Sequence, residues 1–206
     1  MSDVTTVDLA GVGGQGIILG AALLSRAALL EGYDVKASEV KGMAQRGGSV
    51  VSTVRFGRRV LSPIALTADI VIATELLEGR RALAVLVPRG TMVCATTRIA
   101  PGEVLRGEED YPDDIEQEAR RAGVRLLLVE AEELASRAGT VRAANVALLG
   151  AASAVLPFGE AAWRTALEEV LPATILAVNL TAFALGRESV QTPAPAARDP
   201  GGGMQE

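Results

Sequence analysis

A chain of 206 residues with 49% hydrophobic content holds enough apolar mass for one sizeable core and little for a second domain. Its 20 basic and 25 acidic residues sum to −5, which argues against nucleic acid as a partner and leaves no polybasic patch for a membrane surface. One cysteine, Cys94, and no histidine exclude an internal disulfide. They also remove the usual ligands of zinc, haem and iron–sulfur clusters, and the Ser-His and Cys-His nucleophile pairs.

The N-terminal "MSDVTTVDLA" carries acids where a signal peptide carries bases, and no apolar run reaches the roughly 18 residues of a membrane span. A cytoplasmic address with no membrane contact is expected. "VTTVDLAGVGG" reads as a buried strand ending in a turn. "QGIILGAALLSRAALLEGY" then runs apolar nearly all round for more than four turns, a helix packed deep against a sheet and stopped by Gly32. "DVKAS" alternates Val35 and Ala37 with polar neighbours as a more exposed strand does, so the first 38 residues read as a βαβ unit.

"EVKGMAQRGG" breaks every period and reads as a loop feeding the strand "SVVSTVRFG". Arg58 and Arg59 then read as a hairpin tip, with the chain returning through "VLSPI" and Pro63 confining the return to an edge. "ADIVIAT" is a continuous apolar strand, "ELLEGRRALAVL" a helix, and "GTMVCAT" a further strand after the turn "PRG". A helix in "DDIEQEARRAG", a strand in "VRLLLVE" and at least three helices from Ala131 to about Gly186 complete the pattern, with Pro172 at a helix start. The expected architecture is α/β: a three-layer Rossmann-like domain with a mostly parallel sheet and a helical C-terminal third. The folded domain is expected over 1–188, and the Pro- and Gly-rich 189–206 as a disordered tail.

Gly11, Gly13 and Gly16 match G-x-G-x-x-G between a strand and a helix, the context of a dinucleotide fingerprint. That reading also asks for an apolar second strand ending in an acid; here the strand is half polar, although Glu39 follows it. The bland reading is a turn in which the glycines, with Gly14 and Gln15, only allow close helix–strand packing. Lys41 and Arg46, among Gly42, Gly47 and Gly48, form a basic loop able to hold a phosphate or carboxylate, or to meet another subunit. Glu39 would orient Arg46 or a partner's polar group. Ser49 and Ser52 have no general base nearby, which favours capping or strand-edge hydrogen bonds. Cys94 reads as a small core residue, and Asn145 as a cap of the apolar helix, or else a bond across to the loop.

"GVGGQG" at 11–16 and "SEVKGMAQRGGSVVSTVRFG" together resemble the small subunit of the 2-oxoacid:ferredoxin oxidoreductases, nearest to the indolepyruvate-type beta subunits. The matching positions in the second stretch are Ser38, Glu39, Gly42, Met43, Gln45, Arg46, Gly47, Gly48, Ser49, Val50, Ser52, Val54 and Arg55. The likeness continues through "SPI" at 62–64, "ADIVIATELLE" at 68–78, "NVALLGAASAVLPF" at 145–158 and "NLTAFALGRE" at 179–188. One position departs from it, since Lys41 stands where the pattern often has histidine, so no role carried by that histidine transfers.

The resemblance implies one subunit of an enzyme that oxidatively decarboxylates a 2-oxoacid, indolepyruvate or another aryl pyruvate, to an acyl-CoA with electrons passing to ferredoxin. It places thiamine diphosphate, Mg2+ and [4Fe-4S] clusters on a larger partner subunit, with coenzyme A as cosubstrate and no cofactor held by this chain alone. Glu39, Lys41, Gly42, Met43, Gln45, Arg46, Gly47, Gly48 and Ser49 then form a substrate, coenzyme A or partner-interface loop, and Gly11, Gly13, Gly14, Gln15 and Gly16 the glycine turn. The chain alone is expected to be inactive, with no catalytic residue assigned and no metal site. The competing readings are a free-standing NAD-dependent dehydrogenase, which lacks an obvious catalytic acid, and a nucleotide-binding scaffold, which leaves "GMAQRGGSV" without a role.

Overall fold

The computed structural model describes residues 4–41, 48–100, 102–107, 110–112 and 114–191. In chain order the elements are β1 (Val4–Val12), α1 (Ile17–Leu30), β2 (Asp34–Lys41), β3 (Ser49–Gly57), β4 (Ala68–Ala73), α2 (Leu76–Ala82), β5 (Leu86–Ala95) and α3 (Gly102–Leu105). Then come α4 (Ile115–Arg121), β6 (Arg125–Val129), α5 (Ala131–Ala138), α6 (Ala144–Ala152), α7 (Glu160–Val170) and α8 (Ala173–Gln191).

The six strands form one sheet in the order β2-β3-β1-β4-β5-β6. β1, β4, β5 and β6 pair in parallel, while β3 runs antiparallel to both β1 and β2. β2 is therefore parallel to β1, as the βαβ reading requires, but β3 is inserted between them. The half-polar composition of "DVKAS" follows from this place, because β2 is an edge strand. The sheet is mostly parallel and Rossmann-like, with helices on both faces.

Alternation along the strands divides the core. Val7, Leu9, Val54, Phe56, Ile72 and Val93 face the layer of α1, α5, α6, α7 and α8. Ala10, Val71, Ala73, Met92 and Cys94 face α2 and α4. An aromatic row of Tyr33, Phe56, Phe158, Trp163 and Phe183 joins the first layer across the β3 side, with successive contacts from Phe56 at 4.8, 5.6 and 5.4 Å between ring centres. α6 and α8 cross at backbone contact because Gly150 lies against the Phe183 backbone and Gly186 against that of Ala147.

Three expectations are corrected. Residues 58–67 form no hairpin strand; the chain crosses over the sheet and enters β4 beside β1, and its polar groups bond to side chains instead of a ladder. "PRG" is no turn before a strand but lies within β5, where Arg89 takes a positive φ of 66° and the pairing with β4 shifts register. α1 spans 14 residues, and its Ile18 and Leu29 stay exposed, so this apolar helix is not buried all round.

Candidate functional site

The parallel strands end together, and at their carboxyl edge lies a crevice of about 730 Å³. It sits beside the junction of β1 and β4, from which the chain departs in opposite directions along the sheet, the place where open α/β sheets bind ligands. The glycine turn (Gly14, Gln15, Gly16) and Thr74 form its floor, Leu19, Leu148, Ile175 and Val178 its apolar walls, and Thr140, Arg142 and Asn145 part of its rim.

The glycine turn is built on its own side chains. The Gln15 carboxamide oxygen accepts the Val12 N–H at 2.8 Å and the Thr74 hydroxyl at 2.7 Å, and its NH2 donates to the Thr74 carbonyl at 3.3 Å. Gly11 must lack a Cβ because one would strike the Thr74 hydroxyl, and the Gly13 N–H donates to the Gly48 carbonyl at 2.9 Å. Gly16 stands at the start of α1 with φ 75°, and a Cβ there would run into the Asn145 amide. Asn145 does not hold the N-cap position, which is Ala143; it lies in the first turn of α6, where its side-chain oxygen accepts the Val146 N–H at 2.9 Å and its NH2 donates across to the Gly16 carbonyl at 3.4 Å.

This geometry disfavours a dinucleotide at the turn. The Val12 N–H is taken by the Gln15 side chain, the Gln15 N–H by the Val12 carbonyl and the Gly13 N–H by the Gly48 carbonyl. The neighbour of β1 on that side is β3, which begins there instead of ending in an acid. Glu39 belongs to β2, two strands from β1 and hence roughly 10 Å away in the sheet.

The basic loop leaves the sheet beside the turn. Glu39 is exposed on β2, and of Lys41 only the backbone, at the end of β2, is described. Gly42, Met43, Gln45, Arg46 and Gly47 lie outside the described residues, and with them the pairing of Glu39 with Arg46. The return of the loop is fixed at Gly48, through its bond to Gly13, and at Ser49. The Ser49 hydroxyl donates at 2.6 Å to the buried carboxylate of Glu78, whose other oxygen accepts from Arg81 at 2.6 Å. Ser49 pairs with Val12, so the loop and the glycine turn share one corner of the sheet. Ser52 departs from the expectation of a strand-edge bond: β3 is an inner strand, and the buried Ser52 hydroxyl has no partner among the described residues.

Sequence reasoning missed the acids of α2. Glu75 accepts the Glu78 N–H at 2.9 Å as the helix cap, the Ile99 N–H at 3.1 Å and the Tyr111 hydroxyl. Burial raises its pKa, against the lowering effect of the backbone N–H groups. The motif "TELLE" looked like an ordinary helix start; its two acids three residues apart, the capping spacing, were the available signal. Cys94 is a core residue of β5, its thiol pushed up to about 12 by burial and then by the Glu75 charge, which makes it unfit as a nucleophile or metal thiolate. Among the described residues no group of three or more His, Cys, Asp or Glu is placed to hold a metal ion, and no helix is long and apolar enough to cross a membrane.

Fold and site together define a Rossmann-like domain whose glycine turn is braced by Gln15 at the crevice and whose described residues carry no redox centre. The family pyruvate ferredoxin/flavodoxin oxidoreductase matches residues 6–189, and the chain belongs to it. It is 36% identical over 193 residues to the indolepyruvate oxidoreductase subunit IorB of Archaeoglobus fulgidus, covering 91% of this chain and 96% of that protein. The fold is shared with the gamma subunit of a keto/oxoacid ferredoxin oxidoreductase from Geobacter sulfurreducens, with a TM-score of 0.70 at 20% identity over 91% of this chain and 98% of that one. A 2-oxoglutarate:ferredoxin oxidoreductase from Magnetococcus marinus, solved with 2-oxoglutarate, coenzyme A and succinyl-CoA, matches with a TM-score of 0.75 at 23% identity. That match spans 97% of this chain but only 33% of the other, so the same fold forms one part of a longer polypeptide there.

Proposed function

We propose that the chain is the small subunit of a thiamine-diphosphate-dependent 2-oxoacid:ferredoxin oxidoreductase that acts on indolepyruvate or another aryl pyruvate. The observation that carries this reading is the near full-length agreement with subunits named for indolepyruvate oxidation. The enzyme cleaves the bond between the carboxyl and oxo carbons of the 2-oxoacid, releases CO2, passes the electrons to ferredoxin and joins the acyl group to coenzyme A. Thiamine diphosphate, its Mg2+ and the iron–sulfur clusters belong to a larger partner subunit. A chain whose only thiol is buried and protonated, and which has no histidine, does not fit the iron–sulfur clusters.

In this reading the loop from Glu39 to Ser49 works at the subunit junction. Arg46 offers a planar fork of donors for a carboxylate or phosphate, and the glycines beside it let backbone approach the same group. Ser49 and Gly48, tied to Glu78 and Gly13, hold the returning end of the loop to the sheet.

Reconstitution tests the reading. Co-expressed with the larger subunit, the chain should support coenzyme A-dependent reduction of ferredoxin by indolepyruvate, and alone it should oxidise no 2-oxoacid and reduce no NAD. Activity of the isolated chain, or an inactive but correctly loaded complex, refutes it.

A further inference from the structure

The segment between β3 and β4, residues 58–67, crosses a region of the sheet on which no helix packs closely among the described residues. α1 packs on β2 and β3 from the opposite face, while α2 packs on β4, β5 and the Ala10 end of β1, and α4 on β6. The uncovered face of β2, β3 and β1 carries Ser38, Thr53, Arg55, Thr6 and Asp8, a polar row that gives a covering segment hydrogen bonds rather than apolar contact.

The segment is fastened to that row as a strap. Three successive carbonyls, of Ser62, Pro63 and Ile64, accept from Arg55, Ser38 and Arg55 at 2.7, 3.3 and 3.0 Å. The Val60 N–H donates to Asp34 at 2.8 Å, and the Ile64 N–H to the Ser62 hydroxyl at 3.1 Å. With its backbone polar groups turned to the sheet, the strap shows solvent its side chains. Leu61, Ile64 and Leu66 are 81, 72 and 90% exposed, three of the four most exposed large aliphatic side chains among the described residues. Three such side chains within six residues, on backbone anchored by these hydrogen bonds, form a pre-ordered apolar patch with no folding role.

Charge decides what covers it. Arg58 and Arg59, at the head of the strap, are exposed and make no ion pair among the described residues. A second copy of the chain, docked on the same patch about a twofold axis, would bring no counter-charge to these arginines, because residues 58–67 contain no carboxylate. A different chain with an apolar segment flanked by carboxylates satisfies both the aliphatic patch and the arginines.

We infer that the strap, Leu61, Ile64 and Leu66 with Arg58 and Arg59 beside them, is a docking surface for such a segment of the larger oxidoreductase subunit. The inference rests on the subunit reading above and adds where this chain is gripped.

The test uses the full chain co-expressed with the larger subunit, in three forms: unaltered, Leu61→Ser/Ile64→Ser/Leu66→Ser, and Arg58→Glu/Arg59→Glu. Sedimentation should show the triple-serine form bound at least about a hundredfold more weakly, since buried aliphatic anchors dominate such contacts. The charge-reversed form should lose about tenfold and most of its salt dependence. Both variants should melt as the unaltered chain does, because the substituted side chains are exposed. Hydrogen exchange should show residues 58–67 protected on assembly. If the variants assemble like the unaltered chain, the surface is wrong while the subunit reading stands. Self-association of the unaltered chain that the same substitutions abolish also overturns it, in favour of a contact between copies. Failure of the unaltered chain to bind the larger subunit overturns surface and subunit reading together.

Discussion

Gln15 and Thr74 lock the ends of β1 and β4 to each other: the Gln15 carboxamide oxygen accepts the Thr74 hydroxyl at 2.7 Å, and its NH2 reaches back to the Thr74 carbonyl at 3.3 Å. The same oxygen takes the Val12 N–H, so one side chain satisfies both sides of the strand junction that open α/β sheets usually leave for a ligand. A sequence that matches a dinucleotide fingerprint thereby folds into a turn whose Val12 and Gly13 N–H groups are already bonded within the chain, while Gly14 and Gly16 line the crevice.

Gln15→Ala should therefore destabilise the fold by about 1–3 kcal/mol, because the part-buried Val12 N–H and Thr74 hydroxyl lose their acceptor. It should not create a dinucleotide site, since the Gly13 N–H remains bonded to the Gly48 carbonyl. Urea denaturation reads the first effect. Calorimetry with NAD and NADP reads the second, on the unaltered chain as well as the variant: no dissociation constant at or below the order of a micromolar, about −8 kcal/mol, is expected. A clear micromolar isotherm with the unaltered chain would restore the dehydrogenase alternative.

Two glycines two residues apart separate backbone strain from packing. Gly14, at φ 104°, has nothing within 4 Å of a built Cβ, whereas Gly16, at φ 75°, has the Asn145 amide in the way. Gly14→Ala should cost roughly 1–2 kcal/mol, the price of a positive φ alone. Gly16→Ala should cost a further ~1–3 kcal/mol for displacing Asn145 from a packed junction. Equal denaturation midpoints for the two variants would show that the Asn145 contact contributes nothing.

What was legible in the sequence was local. The run from Val4 to Leu30 names its strand, turn and helix by its own apolar spacing and glycines, and β4 to β6 follow in the same way. The insertion of β3 between β1 and β2 is a matter of pairing across distant segments, and no period within "SVVSTVRFG" records its neighbours. The strap was misread as a hairpin because Arg58, Arg59 and Pro63 have turn chemistry. Its carbonyls are in fact satisfied by Arg55, a residue that reads in sequence as one more solvated strand charge. Glu75 and Glu78 were passed over for a related reason: burial of an acid on a short helix depends on Tyr111 and Ser49, 36 and 29 residues away in the chain. The glycine turn and the Ser49 end of the loop are separate motifs in the sequence, and the sheet brings Gly13, Gly48, Ser49 and Val12 to one corner.

Cys94 gives a direct report on global unfolding. Its thiol is fully buried in β5 and pushed up to about 12 by burial first and by Glu75 second, so neither access nor a thiolate is present at neutral pH. A disulfide reagent should label the native chain only at the rate of unfolding, with stoichiometric labelling in denaturant. The sign of the pH effect is also fixed: the unfolded thiol ionises near 9.0 while the folded one keeps its proton to about 12, so this group lowers stability as pH rises above about 9. Rapid labelling of the folded chain at neutral pH would contradict the placement of Cys94.

Asp8 offers a test of the uncovered sheet face at ordinary pH. It lies on β1 opposite Thr53, whose hydroxyl donates to it at 2.6 Å, and burial raises its pKa above the model-peptide 3.8, with the Thr53 bond acting in the opposite direction. A carboxyl whose folded pKa lies above its unfolded one binds protons more tightly in the native state. Its contribution to stability is therefore most favourable in acid and is lost as pH rises through the folded pKa. Asp8→Asn keeps an oxygen to accept from Thr53 and removes the charge that burial penalises. The variant should accordingly be more stable than the unaltered chain at neutral pH, and its advantage should shrink as pH falls through the folded pKa and the native carboxyl takes up its proton. Glu75 shifts in the same direction, but it is present in both proteins, so the difference between their urea midpoints from about pH 4 to 7 isolates Asp8. An advantage for the asparagine variant that grows toward acid would reverse the sign and show that the carboxylate, not the carboxylic acid, is the form this strand favours.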